Sequence, residues 1–331
     1  MKLLETLSNA DAISGCEQEV RDIMKKHMKA DNMFFDNLGG IVFEKKGRGP
    51  KILIAAHMDE VGFIVKKIKK NGRVIAKAMG GVMADSKKMR EVRITTEDGK
   101  KIAGILNTND KEKTYIDLGL DSKQEVEKLG IEPGNMVTFT TSFQHMNNNV
   151  YCGKAFDNRI GVYILAKVLE NVKNLKLKNT TYFAGTVAEE VGTRGAQTIA
   201  HKVKPDVAFV VDTISKLEED DTERELRKGM CLTLTDKRTE PNRYLVKLIK
   251  KTAKKLNKNI QLDIVEKGAT DASQIHRSGD GVPSVSCSVP LRFVHHAYSI
   301  VDKQDIDDTI EIFTEIISNF DKKTYNKCVE F

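Results

Sequence analysis

The stretch KILIAAHMD, residues 51–59, runs as an apolar strand that stops on a histidine and an acid. Three further stretches have the same form: TYFAGTVAEE (181–190), VAFVVD (207–212) and VPSVSCSVPLRFVHH (282–296). Short continuous apolar runs bounded by turn residues read as strands buried on both faces, as in parallel sheets covered by helices. In open sheets of that kind, ligands gather beyond the carboxyl ends of the strands. The four ends bring together histidines and acids in about the number a pair of divalent cations needs. An α/β metalloenzyme is the expectation.

Working outward, helices are expected at 157–172, 192–201, 243–256 and 305–320, with a further strand at 260–266 and a helix beginning at Asp271. Upstream, 16–29 has helical apolar spacing and 34–44 reads as a hairpin around Gly39 and Gly40. Residues 63–145 differ in kind: short alternating strands joined by the turn pairs Asn71-Gly72 and Asp98-Gly99, with one helix at 122–129. Candidate ligands lie on both sides of this β-rich segment and none within it. One discontinuous catalytic domain (1–62 and 149–331) interrupted by an inserted β-rich domain (63–148) therefore explains the order better than two domains in tandem. It also sets the insert apart from the candidate ligands.

The excess of 54 Lys plus Arg over 47 Asp plus Glu gives a net charge of +7, modest for 331 residues. The lysine clusters at 66–70 and 250–255 lack interleaved aromatics, so they read as solvated faces and nucleic acid is not an expected partner. Five scattered cysteines without CxxC spacing fit a reducing compartment. The N-terminus lacks the apolar core of a signal peptide and no run reaches membrane-span length, so a cytoplasmic protein without a membrane partner is expected.

His57 and Asp59 are two apart and project to one side of an extended chain, which lets Asp59 orient the imidazole while His57 binds a cation. Alone, such a pair is more often a structural hydrogen bond. Glu189 and Glu190 are adjacent and face different ways, so one is free to ligate while the other addresses a water; the alternative is that both cap the following helix. Asp157, at the start of a helix in GKAFDNRIG, is either a cap or a carboxylate shared by two cations. Asp212 at a strand end calls for something positive beside it. His295 and His296 are consecutive, so a strand does not easily aim both at one metal.

The segments AHMDEVGF (55–62), GKAFDNRIG (153–161), TVAEEVGTRGA (186–196), FVVDT (209–213), GATDASQIHRSGDGVPS (268–284) and LRFVHHAYSIVD (291–302) resemble, in order and spacing, the tetrahedral aminopeptidases. These cocatalytic dinuclear metallopeptidases are also known as glutamyl aminopeptidases and, historically, as cellulases or endoglucanases. The resemblance covers essentially the whole chain. It implies a mixed-sheet, zinc-peptidase-like α/β/α catalytic domain with the β-rich insert serving for dimerisation. It also implies one metal on His57, Asp157 and Asp212, a second on Asp157, Glu190 and His295, Glu189 as general base, and Asp59 as the partner of His57. His295 is the implied ligand rather than His296 because the family pattern places it three residues after an arginine, here Arg292.

The implied activity is removal of N-terminal residues from peptides with a free amine, by an enzyme whose dimers assemble into a dodecamer. Zinc, cobalt and manganese all suit such ligands. The rival readings are a dinuclear deacylase of N-acyl amino acids, which needs no free amine, and an endoglucanase, which needs paired carboxylates and normally no metal. Lys237, Arg238 and Arg243 are read as a loop able to border a pocket for acidic side chains, or equally as solvent-facing charge.

Overall fold

The computed structural model describes residues 1–109, 113–215 and 224–330. Two helices, α1 (Lys2–Asn9) and α2 (Gln18–His27), lead into the hairpin β1 (Asn32–Phe35) and β2 (Ile41–Lys45), and then β3 (Lys51–His57). The chain next builds β4 (Gly62–Ile68), β5 (Val74–Met79), a 3₁₀ turn (Ala84–Lys87), β6 (Arg90–Thr95), β7 (Lys101–Thr108), β8 (Thr114–Asp117), α3 (Lys123–Lys128) and β9 (Met136–Phe139). There follow β10 (Gln144–His145), β11 (Val150–Gly153), α4 (Phe156–Val172), β12 (Thr180–Thr186), α5 (Arg194–Val203), β13 (Val207–Ser215) and β14 (Cys231–Thr235). The chain ends with α6 (Arg243–Lys255), β15 (Gln261–Ile264), α7 (Ala272–Ile275), β16 (Ser284–Leu291), β17 (Ser299–Asp302), α8 (Lys303–Asn319) and α9 (Lys322–Cys328).

The main sheet has the order β1-β2-β12-β3-β13-β16-β14-β15. Its centre, β12-β3-β13-β16, is parallel throughout, and antiparallel pairings on either side make the sheet mixed. Alternation along the central strands explains the continuous apolar runs. Ile52, Ile54 and Ala56 of β3, with Val207, Phe209 and Val211 of β13, pack into the core beneath α4, α6 and α8. Leu53, Ala55, Ala208 and Val210 enter the opposite core with Ala196 and Ile199 of α5 and Ala272 and Ile275 of α7. Both faces are buried, so neither set is free to be polar. The result is the α/β/α sandwich with a mixed sheet that the sequence implied.

Strands β4-β5-β8-β7-β6-β9 close into an antiparallel barrel filled by residues such as Phe63, Val92, Ile94, Leu106, Ile116 and Phe139. A third sheet, β10-β11-β17, lies where the chain re-enters the sandwich. Five short elements, α1, β11, β14, β17 and α9, have no counterpart among the expected ones. Among the described residues, no helix is long and apolar enough to cross a membrane, and all five cysteines are free thiols.

Candidate active site

Sheet register brings the first donors together. His57 is the last residue of β3 and lies opposite Thr186 at the end of β12. Val210 of β13 pairs with Ala55, so Asp212, two residues further on, is level with His57. The expectation that every donor ends a strand needs correction. Asp212 is inside β13, which continues to Ser215. Glu189 and Glu190 lie beyond Thr186 in a turn through Ala188 (φ 53°) and Thr193 (φ 54°). His295 is past the end of β16, in a loop where it has φ 61°, so strand alternation does not govern the His295–His296 pair. The turn after β12 also demands Gly195: a Cβ there would sit 2.4 Å from the Val187 carbonyl oxygen, which backbone cannot yield.

Asp157 stands between the two histidines. Its Oδ1 is 3.2 Å from His57 Nε2 and its Oδ2 is 3.2 Å from His295 Nε2. His57 Nε2 also faces Asp212 Oδ1 at 3.6 Å and Glu189 Oε2 at 4.0 Å, while His295 Nε2 faces Glu190 Oε2 at 3.3 Å. Asp157 does not cap α4. It and Asn158 have non-helical backbone angles, and the Asn158 amide takes the capping duty, accepting from Gly161 N at 2.9 Å and donating to the Val211 carbonyl. Nor do the glutamate side chains cap α5, which has no side-chain cap.

Asp59, fully buried, organises the neighbourhood. Its backbone oxygen is 3.1 Å and its Oδ1 3.4 Å from His57 Nδ1. Its carboxylate also accepts from Ser14 Oγ, from Glu189 N and from Glu190 N, at 2.6, 3.1 and 3.2 Å. A proton on Nδ1 toward Asp59 would leave the Nε2 lone pair of His57 to meet a cation placed among the surrounding carboxylates. His296 points elsewhere, its Nδ1 against the Val294 carbonyl.

The electrostatics are those of a site built for positive charge. Burial pushes the Glu189 carboxyl well above its ordinary range and Glu190 up to about 8. Asp271, which sequence reasoning passed over, is buried against Thr186 Oγ1 and is pushed by that burial to about 7. Burial opposes the charged form of both imidazoles, yet the facing carboxylates outweigh it: His57 rises well above its usual value and His295 to about 9. Glu190 Oε1 and Asp271 Oδ1 are buried and accept no hydrogen bond from the described residues. Orphaned carboxylate oxygens in an apolar setting are costly unless a cation answers them. The donor set, nitrogen and oxygen with no sulfur, fits divalent cations. His57, Asp157 and Glu190 each offer a ligand atom within 4.8 Å of the others.

His57, Asp157, Glu189, Glu190, Asp212 and His295 line a cleft of about 610 Å³ whose walls also carry Lys237, Arg238 and Lys267. Arg243, by contrast, starts α6 and is not among its lining residues. Gly81 and Met83, between β5 and the 3₁₀ turn, also line the cleft. The β-rich segment is therefore not remote from the candidate ligands, contrary to the expectation drawn from its lack of them.

The family model described as M42 glutamyl aminopeptidase matches residues 39–312. The chain belongs to this M42 family. It is 34% identical to the Escherichia coli K12 protein named "Putative aminopeptidase FrvX", over 100% of this chain and 98% of that protein. The TET aminopeptidase of a marine-sediment Thaumarchaeota archaeon superposes with a TM-score of 0.94 at 32% identity, with 99% of each chain covered. The Pyrococcus horikoshii TET1 peptidase, described as assembling into a tetrahedron or a large octahedral shell, gives a TM-score of 0.87 at 25% identity, covering 96% of this chain and 99% of that one. As an M42 protein the chain is a hydrolase, an aminopeptidase of a metal-dependent family.

Beneath this M42 site lies a buried ion network without a local sequence signature. Lys154 Nζ is 2.7 and 2.8 Å from the two Glu60 oxygens and 3.2 Å from Asp11 Oδ1. Arg159 Nη2 reaches Glu60 at 3.0 Å, and its other nitrogens hold the carbonyls of Met58, Leu7 and Ala10. Arg93, Lys101 and Thr138 of the barrel converge on Asp11. Glu60 is next to Asp59, and Lys154 is three residues before Asp157.

Proposed function

We propose that this chain holds two divalent cations, one by His57, Asp157 and Asp212 and one by Asp157, Glu190 and His295, and removes N-terminal residues from peptides with Glu189 as general base. The observation that carries the reading is the Asp157 carboxylate, which offers one oxygen to the side of each histidine. Zinc, cobalt and manganese all match the donors. When bound, two such cations supply Lewis acidity toward a water and toward the scissile carbonyl.

The rest falls to the chain's own groups. Glu189, the carboxylate with no ligand duty here, takes the proton of the attacking water and returns it to the leaving amine. Asp59 fixes the His57 tautomer and, through the Glu189 and Glu190 amides, the turn that carries the base. Lys237 and Arg238, which line the same cleft, suit an acidic first side chain. The barrel is read as the dimerisation module of a homo-oligomer; the assembly of the Pyrococcus horikoshii TET1 peptidase into a tetrahedron or octahedral shell supports the homo-oligomer.

The test combines chelation with a Glu189→Gln variant. Chelation abolishes cleavage of aminoacyl-p-nitroanilides, and added zinc, cobalt or manganese restores it. Glu189→Gln keeps its ions and loses about 10²–10⁴-fold in kcat. Normal turnover by that variant, or a fully active enzyme without stoichiometric metal, sinks the proposal.

A further inference from the structure

The two histidines are held by different means. His57 is locked in β3 between two strands, with Nδ1 against Asp59. His295 lies in a loop between β16 and β17, its side chain is 33% exposed, and both it and Phe293 have left-handed backbone, φ 61° and 64°. Among the described residues its Nδ1 has no hydrogen bond. The loop is closed at its base by the paired backbones of Arg292 and Ile300 and by Ser299 Oγ on the Phe293 carbonyl, and its middle is held by contacts from the β-rich segment. Met83 N donates to the His295 carbonyl at 3.2 Å, Ala297 N donates to the buried Ser86 hydroxyl at 2.9 Å, and Thr141 Oγ1 donates to the Ala297 carbonyl at 2.6 Å. Gly81 packs against the imidazole, where a Cβ would meet Nδ1 at 3.0 Å and Cε1 at 3.4 Å.

We infer that residues 80–86, carried by the barrel, position His295, so that the insert sets cation affinity on the His295 side of Asp157 and leaves the His57 side to the sheet. A histidine on left-handed backbone without a partner for its second nitrogen has no orientation of its own, since it lacks the hydrogen bond that ordinarily fixes a ligating ring. The 80–86 segment supplies one: a steric wall at Gly81 and a backbone clamp through Met83 and Ser86. These are positioning residues. Ser86 acts only through the Ala297 amide and touches neither candidate ligand nor substrate space.

The inference rests on the two-cation reading above, and the experiment separates the two. Zinc content per chain and stepwise zinc affinity, by competition with a chromophoric chelator, are measured for the whole enzyme and for Ser86→Ala and Gly81→Ala, with thermal melting as the check on folding. The wild type is expected to bind two ions per chain. Both variants should keep one ion at wild-type affinity and bind the other about 10- to 100-fold more weakly, the loss usual when support of a ligand is removed. Should Gly81→Ala fail to fold, Ser86→Ala carries the comparison alone. Variants that keep both ions at wild-type affinity, or weaken both equally, overturn the inference. A wild type binding fewer than two ions overturns the two-cation reading instead.

Discussion

Replacing Lys154 with methionine removes the ammonium of the buried network while keeping most of the side-chain volume. Glu60, 2% exposed, then keeps only Arg159 Nη2 at 3.0 Å and the Ala12 amide at 3.1 Å. Asp11, Glu60, Lys154 and Arg159 are all essentially inaccessible and their charges cancel, so the variant leaves this fully buried set one negative charge in excess, with only the partly exposed Arg93 and Lys101 on Asp11 to offset it. Removing one partner of a buried ion pair costs about 3–5 kcal/mol. The methionine stem offsets part of this by packing where the lysine methylenes lay. A net loss of about 3 kcal/mol is expected, roughly a hundredfold in the unfolding constant. Urea unfolding followed by far-ultraviolet circular dichroism, at one fixed protomer concentration, measures it. Adding Glu60→Gln restores neutrality, so the double variant should be less destabilised than the two single losses summed. A Lys154→Met protein within about 1 kcal/mol of wild type, or strict additivity in the double variant, would refute the charge-balance argument.

Three further outcomes follow from the same structure. Burial raises the Asp11 carboxyl, but Lys154, Arg93 and Lys101 overcome it and hold the group well below the usual carboxylate range; its contribution is present above the unfolded value near 3.8 and lost as pH falls through the lower folded one. The stability gap between wild type and Asp11→Asn should therefore be constant near neutrality and shrink only below about pH 4, as acid unfolding at stepped pH reads out. Charge reversal at Lys237 and Arg238 should lower kcat/KM for glutamyl-p-nitroanilide relative to leucyl-p-nitroanilide, and an unchanged ratio removes these two from specificity. N-acetylation of a good peptide substrate should abolish its cleavage, whereas sustained turnover would favour the deacylase reading.

The sheet was legible because burial on both faces forces β3, β12 and β13 to carry continuous apolar runs through their middles, which is rare outside a covered parallel sheet. Most donors were legible because they lie at or just beyond such a run; Asp157, at the start of α4, was legible only from its motif. What the sequence hid has a common cause. Asp271 lies ahead of a helix of one turn, too short for periodicity. Asp11, Glu60, Lys154 and Arg159 are paired across the chain, so nothing local distinguishes them from solvated charges. The barrel strands show as alternation, but their order, with β9 between β4 and β6, comes from tertiary pairing. The approach of Gly80 and Gly81 to Glu190 and His295 had no sign beyond a glycine pair after a strand.

Strand β3 sits at the heart of the parallel sheet, yet both of its neighbours, β12 and β13, are made only after the whole barrel has been translated. A nascent chain thus carries the sticky run ILIAA unpaired while the ribosome works through the insert. The barrel, whose strand pairs all lie within its own segment, is free to fold in the meantime. Synthesis order would then make the insert a finished body that keeps β3 at one end tethered until its partners emerge, and delays in translating residues 150–215 would lengthen the window for misassembly.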